Sequence, residues 1–119
     1  MKNPYVLIVE DEAIIALGIE AEITGMGYET RCAFRVSDAL RLIESATPLF
    51  AILDYQVGDE NTAKVASRLT ALRVPFIVCS GSEGALLEDV FSAGRFLAKP
   101  FKTEELMGLV STVDLQAVN

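Results

Sequence analysis

The sequence contains no histidine, and this absence removes several kinds of chemistry. Histidine is the commonest general base near neutral pH and a frequent nitrogen ligand of metals. Without it, the chain carries no phosphohistidine, and any bound metal has to be held by oxygen atoms. Oxygen ligands favour Mg²⁺, Ca²⁺ or Mn²⁺ over zinc.

Basic residues are also scarce. The chain has 10 lysines and arginines against 17 aspartates and glutamates, for a net charge of −7. Because phosphate backbones are bound by basic patches, we expect no direct contact with nucleic acid. No apolar stretch approaches the ~18 residues of a membrane span, and the first residues lack the apolar core of a signal peptide. We therefore expect a cytoplasmic protein that does not enter the membrane.

Cysteine is the third scarce residue, with two in the chain. Cys32 and Cys79 lie far apart and form no CxxC pair. Both fall in apolar, strand-like stretches, which predicts buried free thiols.

The 119 residues suffice for one domain, so residues 1–119 are taken as a single unit. Apolar runs and helical periodicity alternate along the chain, which predicts a parallel sheet with helices on both faces. The predicted strands are 5–9, 28–33, 49–53, 75–79 and 95–98. The five predicted helices are 12–25, one opened by Ser37 as N-cap, 61–72, 83–92 and one capped by Thr103.

Polar residues stand where four of the predicted strands end. They are Glu10 and Asp11, Asp54, Ser80, and Lys99. Each has a simpler explanation on its own: acids are common at helix starts, Asp and Ser are common in turns, and most lysines are solvated. However, the carboxyl ends of parallel strands meet at one edge of a sheet, where ligands collect. We therefore expect these side chains to lie close together.

Such a group of residues indicates phosphoryl transfer. Three neighbouring carboxylates repel one another, and a divalent cation such as Mg²⁺ relieves that repulsion. A carboxylate can attack phosphorus to form an acyl phosphate, and the protein then mainly neutralises charge. In this interpretation Asp54 is the nucleophile, Glu10 and Asp11 hold the metal, and Lys99 and Ser80 contact oxygen atoms.

Over its whole length the sequence resembles the receiver domain of two-component response regulators. The resemblance rests on the motifs Leu7–Glu12, Ile52–Asp54, Ile77–Gly81 and Lys99–Phe101. It implies a flavodoxin-like α/β three-layer sandwich, with a five-stranded parallel sheet in the order 2-1-3-4-5 and five helices. In that order strands two and four lie about 14 Å apart, too far for a disulfide between the two cysteines, which needs Cα atoms within ~7 Å.

The resemblance also implies the chemistry. Asp54 would accept a phosphoryl group from a histidine kinase or a histidine phosphotransfer protein, and Lys99 and Ser80 would bind the phosphoryl oxygens. The ligands of Mg²⁺ (or Mn²⁺) would be Glu10, Asp11, Asp54 and the backbone carbonyl of Gln56. Such a domain phosphorylates and dephosphorylates itself, so we expect no turnover of an external substrate and do not class it as an enzyme.

A switch is implied as well. Ser80 would move toward the phosphoryl group, and Phe96 would rotate inward behind it, although Phe96 also suits a plain core or interface aromatic. A homodimer or a target protein would dock on the face formed by the fourth helix, fifth strand and fifth helix. The Lys99–Pro100 bond resembles the cis peptide of the family.

Two regions depart from the family pattern: the loop 55–60, and the fourth helix with its Gly84. Two other functions also remain open. One is a phosphohydrolase with an aspartate nucleophile, although Gln56 stands where a second acid would be expected. The other is a degenerate receiver or a flavodoxin-like cofactor module, although the loop after the first strand is acidic where a phosphate cradle would be rich in glycine and serine.

Overall fold

A five-stranded parallel sheet lies at the centre of the computed structural model, which describes residues 4–81 and 88–118. Its strands are β1 (Tyr5–Val9), β2 (Glu29–Ala33), β3 (Phe50–Asp54), β6 (Phe76–Ser80) and β7 (Arg95–Ala98). Two further short strands, β4 (Gln56–Val57) and β5 (Glu60–Asn61), form a separate antiparallel pair. The order β2-β1-β3-β6-β7 confirms the predicted arrangement of the main sheet.

Helices cover both faces of this sheet. They are α1 (Ala13–Gly25), α2 (Val36–Ser45), α3 (Ala63–Ala71) and α4 (Thr103–Val118). Alternate residues of β1 enter opposite cores: Leu7 packs in the core with α2 and α3, and Ile8 in the core with α1 and α4. Because both faces are buried, the strand reads as a continuous apolar run instead of an alternating one.

The fourth predicted helix, 83–92, is not a regular α-helix where it is described. Residues 82–87 lie outside the described part of the chain, and the remainder contains a 3-10 turn at Asp89–Phe91. The hairpin of β4 and β5 was not predicted, because each of its strands has only two residues and shows no hydrophobic period.

The predicted caps also differ from the structure. Helix α2 begins at Val36 with Arg35 as N-cap, because the Val36 side chain is buried against the core; Ser37 is thus already inside the helix. Thr103 is the first residue of α4. The side chain of Glu105 accepts a hydrogen bond from the backbone N–H of Lys102, at 2.9 Å, and so caps this helix from within.

Both cysteines are free thiols. Cys79 is buried as predicted, but Cys32 is partly exposed because β2 is an edge strand. Burial raises the pKa of Cys79 to about 12. Among the described residues, no helix combines the length and the apolar character that crossing a membrane requires.

Candidate functional site

Three carboxylates meet at the carboxyl edge of the sheet. Strands β1 and β3 are neighbours, with Val9 opposite Leu53, so the residues that follow or end them come together. One oxygen each of Glu10, Asp11 and Asp54 lies within 4.8 Å of the other two. Glu10 is buried, Asp54 is partly buried and Asp11 is exposed.

Lys99 supplies positive charge to this cluster. Its Nζ lies 3.1 Å from Oδ1 of Asp54 and 3.8 Å from Oε1 of Glu10. Its backbone N–H donates to the carbonyl of Ser80 at 2.9 Å, and the Lys99–Pro100 peptide is cis, as the resemblance implies. Burial lowers the pKa of Lys99, but the hydrogen bond and charge of Asp54 outweigh burial and hold that pKa above its ordinary value.

The surroundings of Glu10 shift the pKa of its carboxyl group. Burial raises the pKa of Glu10 to about 7, and the neighbouring charge of Asp54 acts in the same direction. The backbone N–H of Glu12, which donates to Oε2 of Glu10 at 3.2 Å, and the charge of Lys99 oppose this rise. A divalent cation beside Glu10 would favour its ionised form.

Asp11 is held by the hairpin that follows β3. The backbone N–H of Gly58 donates to Oδ2 of Asp11 at 2.9 Å. Gly58 has a φ of 62°, a left-handed conformation that favours glycine. This contact joins the loop after β1 to the loop after β3.

Thr62 is a polar residue of the site that the sequence did not reveal. It is fully buried, and its hydroxyl donates to the backbone carbonyl of Asp54 at 2.8 Å. Its N–H donates to the carbonyl of Tyr55 at 2.9 Å. Thr62 precedes α3 but makes no side-chain cap to that helix. In the sequence, the only sign that Thr62 matters is its position just before a helix with an apolar face.

Tyr55 extends the site toward the β6–β7 connection. Its N–H donates to the carbonyl of Cys79 at 2.8 Å, and its hydroxyl hydrogen-bonds to the carboxylate of Glu88. Its ring packs edge-on against Phe91, with ring centroids 5.4 Å apart. The hydrogen bond to Glu88 raises the pKa of Tyr55. Sequence reasoning missed this group because both partners lie in irregular segments.

Of the remaining predicted residues, Ser80 and Gln56 lie at the same edge of the sheet, and Phe96 lies within a strand. Ser80 ends β6 and is buried, whereas Phe96 lies on β7, opposite Val78, and is partly buried against the core. Gln56 begins β4, and its exposed side chain donates to the carbonyl of Gly58 at 3.3 Å.

The donor set fits a hard divalent cation. Three carboxylates within reach of one another provide the oxygen ligands that Mg²⁺ prefers. With a lysine beside the partly buried Asp54, the arrangement could hold a metal ion and stabilise negative oxygen atoms next to that carboxylate.

Comparison with known proteins agrees with this geometry. The sequence profile described as response regulator receiver domain matches residues 6–111. The transcriptional regulatory protein CrdR of Helicobacter pylori is 25% identical over 107 residues, which cover 85% of this chain and 50% of that protein. The chain thus spans half the length of this curated relative.

Solved structures give the same fold. The receiver domain of the Francisella response regulator 1452 is 26% identical, with a TM-score of 0.80, covering 96% of this chain and 98% of that one. The Thermotoga maritima response regulator TrrA, in complex with Mg²⁺–BeF, is 22% identical with a TM-score of 0.81. The match covers 92% of this chain and 98% of TrrA, and at this identity it shows the fold alone.

Proposed function

The chain belongs to the response regulator receiver domain family, and we propose that Asp54 is its phosphoacceptor. The observation that carries this proposal is the contact of Lys99 Nζ with Asp54 Oδ1, at 3.1 Å, beside the cluster of Glu10 and Asp11. It gives one carboxylate both a cation partner and a neighbouring site for a metal ion.

In the proposed reaction, a carboxylate oxygen of Asp54 attacks the phosphorus of a donor. A phosphorus–oxygen bond forms, the bond from phosphorus to the donor's leaving atom breaks, and an acyl phosphate remains. Lys99 neutralises charge on the phosphoryl oxygens, and Ser80 offers a hydroxyl to them. Water later attacks the same phosphorus and restores the free carboxylate of Asp54.

Mg²⁺, or Mn²⁺ in its place, is the proposed metal. Its ligands would be the carboxylates of Glu10, Asp11 and Asp54 and the backbone carbonyl of Gln56, all oxygen donors. A bound ion would supply the positive charge that phosphoryl transfer requires. The chain's own contribution is to hold these oxygen atoms beside Lys99.

The proposed donor is a histidine kinase or a histidine phosphotransfer protein, the general partners of receiver domains. The chain would then act as a cytoplasmic signalling domain, without turnover of an external substrate. The output would follow from movement of Ser80 and Phe96 and a changed affinity for a second copy or a target protein. Gln56 in place of a second acid disfavours a phosphohydrolase.

Phosphorylation is tested by incubating the protein with acetyl phosphate and Mg²⁺ and measuring its intact mass. We expect a gain of one phosphoryl group that is absent in Asp54→Asn. The matched control is Asp59→Asn, which removes the same charge from an exposed position in the following hairpin and should still gain the group. A phosphoryl adduct that persists in Asp54→Asn would overturn the proposal.

The switch is tested with a beryllofluoride mimic, chosen because TrrA is in complex with Mg²⁺–BeF. Oligomeric state and partner affinity are compared with and without the mimic, in wild type and in Asp54→Asn. We expect a change in the wild type alone. If the mimic changes neither the oligomeric state nor the partner affinity of the wild type, the domain is a phosphate acceptor without a switch.

A further inference from the structure

We propose that the hairpin of residues 56–61 positions the metal-binding carboxylate of Asp11 through the backbone N–H of Gly58. The proposal rests on the magnesium site proposed above and adds a positioning group outside its set of ligands. Nitrogen and Oδ2 are 2.9 Å apart, although the two residues are separated by 47 positions in the sequence.

Asp11 depends on such a donor more than its neighbours do. Glu10 is buried and accepts the N–H of Glu12, and Asp54 is partly buried beside Lys99. Asp11 is exposed, so packing does not fix its rotamer. Repulsion from the other two carboxylates would turn it toward solvent, and the hydrogen bond from the hairpin opposes that rotation.

The hairpin is itself well anchored. Val57 pairs with Glu60, Gln56 pairs with Asn61, and the side chain of Val57 is only 3% exposed within the core. Gly58 follows Val57 directly in a left-handed conformation, with φ of 62°. The buried valine therefore fixes where the adjacent N–H points.

The base of the hairpin is tied to the strand that carries the phosphoacceptor. Thr62, immediately after β5, donates its hydroxyl to the carbonyl of Asp54 and its N–H to the carbonyl of Tyr55. The hairpin thus sets the position of Asp11, on the loop after β1, relative to Asp54 at the end of β3. Both are proposed ligands of one ion.

Hydrogen bonds of this kind orient metal ligands, and their loss usually weakens metal binding by about 10–100-fold. A carboxylate has two oxygen atoms, so the N–H at Oδ2 leaves the other free to bind the ion. The hairpin includes most of the loop 55–60, which departs from the family pattern, and its role is to hold a ligand.

The N–H can be removed without changing any side chain. Chemical synthesis in three segments, joined at Cys32 and Cys79, allows glycolic acid to replace residue 58, so that an ester stands in place of the amide. The Kd for Mg²⁺ is measured by calorimetric titration, with the all-amide synthetic protein as control. We expect the ester to raise the Kd about 10-fold, with a metal-free thermal unfolding transition that remains cooperative.

Two alanine variants made by mutagenesis test the same role if the ester protein does not refold. Val57→Ala and Val65→Ala remove the same atoms from buried positions of one core, but only Val57 lies in the hairpin. We expect Val57→Ala to raise the Kd for Mg²⁺ severalfold and Val65→Ala to leave it unchanged.

The outcomes separate the two proposals. Tight Mg²⁺ binding by wild type, with equal Kd values for ester and amide or for the two alanine variants, would overturn the positioning role and leave the metal site standing. A wild-type protein that does not bind Mg²⁺ would overturn both.

Discussion

The surroundings of Asp54 have two sides: on the metal side, carboxylates meet Lys99 and a backbone N–H group; on the tyrosine side, Tyr55 meets another aromatic ring and a glutamate. The first side places Asp11 2.9 Å from a fixed backbone donor and Lys99 3.1 Å from Asp54. The second joins Tyr55 to Glu88, both partly exposed, and packs Tyr55 against the buried ring of Phe91.

The two sides therefore resist change differently. A buried carboxylate such as Glu10 has few alternative partners, and a backbone donor such as the N–H of Gly58 cannot change rotamer, so the metal side suits a site whose geometry must persist. A hydrogen bond between partly exposed side chains exchanges for water at small cost. We therefore expect a rearrangement that follows phosphorylation to be easier on the tyrosine side, where Tyr55 and Glu88 are partly exposed.

The largest effect is expected from Lys99→Met. It removes the charge beside Asp54 and should slow phosphorylation by acetyl phosphate about 100-fold, as loss of one transition-state donor does. The control is Lys102→Met, an exposed lysine three residues further on. The phosphorylation rate is followed by intact mass. An equal fall in both variants would contradict a specific role of Lys99 and indicate only a general effect of charge.

Asp11→Asn should act on the metal instead. The variant removes a charged ligand. Loss of a group that only orients a ligand already weakens metal binding about 10-fold or more, so we expect the Kd for Mg²⁺, measured by calorimetric titration, to rise at least 10-fold. Glu22→Gln changes net charge by the same amount at an exposed position of α1. Equal affinities for the two variants would remove Asp11 from the metal site.

Thr62→Val tests the link between hairpin and β3. Replacing the buried hydroxyl leaves the carbonyl of Asp54 without that donor and should lower the free energy of unfolding by about 1–3 kcal/mol. Thr70→Val removes a hydroxyl that donates to the carbonyl of Ala66 from an exposed residue of α3, and the free energy of unfolding should change by no more than about 0.5 kcal/mol. Urea denaturation measures both, and similar losses would contradict the account.

The smallest effect is expected from Tyr55→Phe, which keeps the ring against Phe91 and removes the hydroxyl. Stability should fall by no more than about 1 kcal/mol. Because the pKa of Tyr55 is raised in the folded state, this difference should be constant below the ordinary tyrosine pKa and disappear as pH rises through the raised value. Urea denaturation at several pH values measures this difference in the free energy of unfolding. A difference that grows at alkaline pH would contradict the proposed effect of the hydrogen bond.

The parts of the fold that the sequence predicted share one property: each rests on residues adjacent in the chain. The run Phe50–Asp54 reads as a buried strand, and its end places Asp54 at the edge of the sheet. Lys99 followed from the same reasoning at the end of β7. The prediction that both lie at one edge needed only the alternation of strands and helices.

The contacts that escaped prediction join loops far apart in sequence. The bond from Gly58 to Asp11 and the pair of Tyr55 with Glu88 depend on how irregular segments fold over the sheet, and no hydrophobic period encodes this. Ser37 was misplaced as N-cap for a related reason: α2 begins at the buried Val36, two residues before a helix capped by Ser37 would begin, and propensity alone does not show that packing.

The central claim is that Asp54 carries the phosphoryl group. Borohydride reduces an aspartyl acyl phosphate to homoserine, so treating the phosphorylated protein with borohydride and sequencing its peptides by mass spectrometry identifies the residue directly. The account predicts homoserine at position 54 alone, in a reaction that requires Mg²⁺. Homoserine at Asp11 or Asp59, with Asp54 unmodified, would contradict it.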